Sequence, residues 1–169
     1  MDKQSIFFTC IVAIVAISIM FMSIQFLAKK SNIKMEQDDE ISVAYTIWFC
    51  SLFISFMLFL KVALQFIENS IEIIIYSKTI DNTFWAVIQK IALFIGFTFL
   101  ATFLFYFIIN SIIKFFLGAR KDFIEIEKNN IAYFSIKGIA LVLLVFSLLP
   151  VFEHFLGWFL PTVSTPFYH

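Results

Sequence analysis

Few side chains in this sequence are of types that do chemistry, and their spacing argues against most reactions. The histidines are His154 and His169, and Glu153-His154 is an adjacent acid–base couple. Neighbouring residues on a helix point about 100° apart, so these two read as interfacial groups solvated separately and not as a proton-handling pair. Cys10 and Cys50 each sit inside an apolar run with no nearby histidine or cysteine to complete a metal site. They read as buried thiols packing as small hydrophobes. The carboxylates of Glu36, Asp38, Asp39 and Glu40 lack EF-hand spacing and a turn glycine. With no glycine-rich phosphate loop, zinc spacing or nucleophile beside a base, the expectation is a non-enzymatic protein without a cofactor.

The densest polar stretch runs from Arg120 to Gly138, between two long apolar runs. Arg120 and Lys121 are suited to setting membrane orientation. Asp122 to Lys128, with Glu125 and Glu127, reads as an exposed cytoplasmic handle for a partner. Asn129 or Asn130 can cap the helix that follows, Ala132 would let a neighbour approach, and Gly138 would permit tight helix contact one or two turns deeper. Lys137 lies one to two turns into the last apolar run, where snorkelling back towards the polar stretch is favoured over facing a partner helix. Arg120, Lys121, Glu125, Glu127, Asn130, Ala132, Lys137 and Gly138 are therefore the candidate contact or packing residues.

The elements that carry these residues follow from composition. The chain is 62% hydrophobic and 14% charged, with a mean hydropathy of +0.96. That is more apolar surface than one soluble core of this length buries, so the bilayer is the expected solvent. Phe contributes 25 residues and glycine only 4, which favours unbroken helices over a turn-rich barrel. Twelve basic residues balance twelve acidic ones, leaving no global field to draw nucleic acid. The expected fold is an all-α integral membrane protein, a single domain over 1–169, with spans at about 6–27, 41–67, 85–114 and 131–150.

Finer features punctuate these spans. Asp38 or Asp39 is placed to cap the second span, and Lys61 can snorkel from it. The 66–78 segment is amphipathic, with Ile67, Ile71, Ile74 and Ile75 opposite Glu68, Asn69 and Glu72; it either extends the second helix or lies on the membrane. Asp81-Asn82-Thr83 is a turn signal, and Phe84-Trp85 suits an interfacial anchor. Asn110 could bond across helices. Pro150 marks a kink or stop, with an interfacial segment after it and a tail containing Pro161 and Pro166.

Charge counting sets the sidedness. The 29–40 and 114–137 regions hold Lys29, Lys30, Lys34, Lys114, Arg120, Lys121, Lys128 and Lys137, against Lys3, Lys61, Lys78 and Lys90 on the other side. The bias puts both loops in the cytoplasm and both termini outside. The loops also echo one another, with a basic start, an acidic middle and then Ala44-Tyr45 or Ala132-Tyr133. Two tandem hairpins of the same orientation are expected, with repeat halves at about 1–80 and 81–169.

The stretch Glu125-Ile126-Glu127-Lys128-Asn129-Asn130-Ile131-Ala132, with Gly138 beyond it, resembles the YjfL-like family of small four-helix bacterial inner-membrane proteins. Asn130, Ala132 and Gly138 are the matching positions. The first half departs from the pattern, since Asp39 to Ala44 lacks the asparagine and Cys50 falls where glycine would stand. The resemblance implies a fold and a bacterial inner-membrane location, and no chemistry. The function expected from residues and resemblance together is a structural or interaction subunit of a membrane assembly or homo-oligomer, with a small channel or transporter component as the alternative. Its partners would be the lipid bilayer and other membrane proteins or further copies.

Overall fold

The computed structural model describes residues 3–37, 40–76 and 82–161. Its helices are α1 (Lys3–Lys30), α2 (Val43–Tyr76), α3 (Thr83–Leu117), the short α4 (Asp122–Glu127) and α5 (Ile131–Gly157). A two-residue antiparallel pair, β1 (Glu36–Gln37) and β2 (Glu40–Ile41), closes the loop between α1 and α2. Four helices, α1, α2, α3 and α5, are long and apolar enough to cross a membrane. At about 1.5 Å per residue each exceeds a hydrocarbon core about 30 Å thick.

Helix α2 is the hub, packing on α5, α3 and α1 in decreasing extent. Its buried residues include Ala44, Trp48, Leu52, Phe56, Leu60, Ala63, Ile67 and Ile71, and the intervening Ser51, Ser55 and Phe59 are buried too. This hub is hydrophobic around most of its circumference, as a helix with several packing neighbours requires. By contrast, α1 buries a single stripe at four-residue spacing, Ala16, Met20, Ile24 and Ala28. Hydroxyls inside the apolar helices bond their own preceding turns: Thr98 to the Phe94 carbonyl at 2.9 Å, Thr102 to Thr98 at 2.8 Å and Ser55 to Ser51 at 2.8 Å. That local bonding removes the cost of burying them.

Several sequence expectations are corrected. Pro150 neither stops nor follows the last span; it lies inside α5, which continues to Gly157. Pro150 stands on an exposed face, and membrane-length helices accommodate a missing donor, so no separate segment begins at 151. The 66–76 portion extends α2, with Ile67, Ile71 and Ile74 in the core and Ile75 exposed. Cys10 and Cys50 are exposed on the outward faces of their helices, not buried. Asn82 caps α3 by accepting from the Trp85 amide at 3.4 Å. The caps expected of Asp38 and Asp39, the turn position Asp81 and the tail with Pro166 and His169 lie outside the described residues.

Candidate functional site

The polar side chains converge where the loop after α1 meets the loop after α3. Two helix ends there use the same device. After α1, the Asn32 amide bonds Lys29 and the Ile33 amide bonds Ala28, with Asn32 at φ 54°. After α4, Asn129 bonds Ile126 and Asn130 bonds Glu125, with Asn129 at φ 48°. Both are Schellman closures in which asparagine takes the left-handed position that glycine usually holds. At the end of α3 the turn is made by Gly118 at φ 84°.

These closures aim two adjacent asparagines in different directions. The Asn129 side-chain oxygen accepts from the Ala44 amide at 2.9 Å and the Ser42 hydroxyl at 3.1 Å, capping the start of α2. The Asn130 oxygen accepts from the Tyr133 amide at 3.1 Å, capping α5. One loop thus satisfies the free amides of two membrane-length helices. Asn130 also donates to Glu125 at 2.6 Å, and Arg120 stands 3.6 Å from that carboxylate.

Deeper in the bundle lies an ion pair. Lys137, in the second turn of α5 and only 3% exposed, donates to Asp122 Oδ2 at 2.5 Å. The same oxygen accepts the Tyr106 hydroxyl at 2.9 Å, Oδ1 accepts the Tyr133 hydroxyl at 3.3 Å, and the Trp48 indole donates to Tyr106 at 3.1 Å. The rings of Tyr106, Tyr133 and Phe134 surround the ammonium at 5.0, 5.8 and 5.8 Å from their centroids. Four helices contribute, and every group in the chain Trp48–Tyr106–Asp122–Lys137 has a partner, which is the condition under which a buried polar network rigidifies a fold.

The expected site residues therefore divide. Lys137, Glu125, Asn130 and Arg120 belong to this connected cluster. Lys137 does reach back to the polar stretch, but it is buried there and not in water, because α4 brings Asp122 to it. The Asp122–Lys128 segment is not an exposed handle throughout, since Glu125 and Ile126 are buried. Glu127 stays at the surface, 3.1 Å from Lys34, and ties the two loops together. Lys121 is exposed, with its ammonium 5.9 Å from the Phe123 ring centre. Ala132 is exposed, whereas Gly138 is buried against α2: a Cβ there would stand 3.0 Å from Ser51 Cβ. Asn110 lines a cavity beside Tyr106 and meets its hydroxyl from one turn along α3, within one helix and not across two. Trp48 and Tyr106 were not singled out from the sequence, and Tyr133 only as part of the loop echo, although a hydroxyl or indole N–H inside an apolar span signals a buried partner.

Arranged this way, the cluster can hold helices in register; it offers no nucleophile aligned with a free base. A scan against family models and searches of curated proteins and solved structures return no match to this chain.

Proposed function

We propose that this is a multi-pass protein of the bacterial inner membrane, a structural or interaction subunit that associates with copies of itself or with other membrane proteins and does no chemistry. The observation that carries the reading is the mutual satisfaction of Asp122, Lys137, Tyr106 and Trp48. Groups held this way fix a shape and are not poised to react. Outside that lock, the outward faces of the spans are rich in exposed large apolar side chains such as Met22, Phe26, Ile139, Leu143 and Phe146, which suit lipid and helical partners.

Membership of the YjfL-like family and the tandem-hairpin arrangement are part of the same proposal. The pairing of Asn129 with α2 and Asn130 with α5 supports two like hairpins meeting at one end. The lysine and arginine bias supports a cytoplasmic loop end with both termini outside. A channel or transporter component is the second reading, favoured by one feature: a cavity of about 450 Å³ that Asp122 and Tyr106 line. Native mass measurement in mild detergent, paired with a liposome flux assay, separates the two. The subunit reading expects oligomers or a co-purifying membrane protein without flux; a lone monomer that conducts a specific ion or solute would overturn it.

A further inference from the structure

The cavity between the end of α1, the last turns of α3 and the loop into α4 carries charge that the lock does not use. Lys114, Arg120 and Lys121 all line it, and Asp122 is its one acidic lining residue. That carboxylate is already engaged by Lys137, Tyr106 and Tyr133, and Arg120 is partnered by Glu125. Among the described residues neither Lys114 nor Lys121 has an acidic partner. Two uncompensated cations therefore face one concave space of about 450 Å³.

The remaining lining gives that space a second character. Asn110 and Ser31 supply neutral polar groups, while Leu27, Phe107 and Phe123 make an apolar wall. Helices α1 and α3 touch sparsely, and the exposed Phe115 and Phe116 stand in the last turn of α3. Cations at the end of an apolar span, above an apolar cleft, match a molecule with an anionic head and hydrocarbon chains.

We infer that this cavity is a binding site for the phosphate headgroup of an anionic phospholipid, with Lys114 and Lys121 as its principal contacts. The inference rests on the membrane reading above. A free phosphate would satisfy the lysines equally but would leave Leu27 and Phe107 without an apolar ligand.

The test is native mass spectrometry of the full chain purified in mild detergent and offered phosphatidylglycerol and phosphatidylcholine in equal amounts. Wild-type protein retains phosphatidylglycerol preferentially. In the K114Q/K121Q variant that preference falls by about tenfold or more, and in K29Q/K30Q, whose lysines are at the same end but outside the cavity, it is unchanged. An equal fall in K29Q/K30Q would mean general surface attraction and overturn the site, as would the absence of any wild-type preference, a measurement that needs no variant to fold. Displacement of the lipid by inorganic phosphate alone would also overturn it, in favour of a soluble anion. Release of the protein from membranes by carbonate washing would sink the membrane reading itself; retention after washing, without phosphatidylglycerol preference, would sink only this inference.

Discussion

The two ends of the helix bundle are built differently. At the loop end, the start of α2 is capped by Asn129 from across the chain, Lys34 pairs with Glu127, and a buried ion pair sits beneath. At the far end, among the described residues, a cross-chain polar tie is Lys90 donating to the Phe159 carbonyl at 2.7 Å, and the Glu68 Oε1 and Ser70 Oγ atoms are buried without a partner. Aromatic contact does the holding there, with Phe97 at 4.8 Å from Phe155 and 5.0 Å from Phe159. Dispersion and area are non-directional, whereas charge-assisted hydrogen bonds fix rotation and depth. The loop end therefore sets helix register, and the far end supplies bulk cohesion.

That contrast is broken most directly at the ion pair. Asp122→Asn leaves a nearly fully buried ammonium without its counter-charge, and the expected loss is about 3–5 kcal/mol of stability. Lys137→Met costs less, because Asp122 is more exposed and keeps its two tyrosine donors. The D122N/K137M pair recovers much of what D122N loses. Denaturant unfolding in mild detergent, followed by circular dichroism, reads all three. A double variant no more stable than D122N alone would show that the pair does not act as a unit.

Much of this architecture was legible in the sequence, because long uncharged runs have one physical outcome and helix starts and close approaches have narrow residue preferences. The four spans, the cap at Asn130 and the contact at Gly138 are of that kind. What was not legible depends on a third dimension. Lys137 lies near a helix end, where a lysine can ordinarily reach water; only the fold of α4, which turns Asp122 inward, converts it into half of a buried pair. Asn129 caps a helix that begins at residue 43, and no local pattern announces that pairing. Pro150 left a kink or a stop open on local chemistry, and the helix runs on through it to Gly157, since losing one donor does not by itself end an apolar helix. Cys10 and Cys50 sit in apolar runs, yet hydrophobicity alone does not say which face of a span looks at neighbours and which outward.

Just below the lock, the contrast is sharpened by Gly138. Helices α2 and α5 approach tightly there, and Gly138→Ala places a methyl group 3.0 Å from Ser51 Cβ. In a packed interface the expected cost is roughly 1–3 kcal/mol. Ser51→Gly opens the space, so the G138A/S51G double variant loses less than the two singles added together. Strict additivity in the same unfolding experiment would remove the close approach from the account of how α5 is seated.

The smallest effects compare two asparagines in the same role at opposite ends. Asn130 accepts from Tyr133 at 3.1 Å and donates to Glu125 at 2.6 Å in a part-buried setting. Asn82 accepts from Trp85 at 3.4 Å in the open. Asn130→Ala loses a cap and also leaves the buried Glu125 short of a donor, so about 1–2 kcal/mol is expected. Asn82→Ala loses a long, solvated bond that water replaces, and about 0.5 kcal/mol or less is expected. Hydrogen exchange of the first-turn amides reads the two caps separately: Tyr133 should lose protection in the first variant, while Trp85 changes little in the second. Equal losses at both ends would mean that register is not concentrated at the loop end, and the division of labour between directional polar bonds and apolar cohesion would fail.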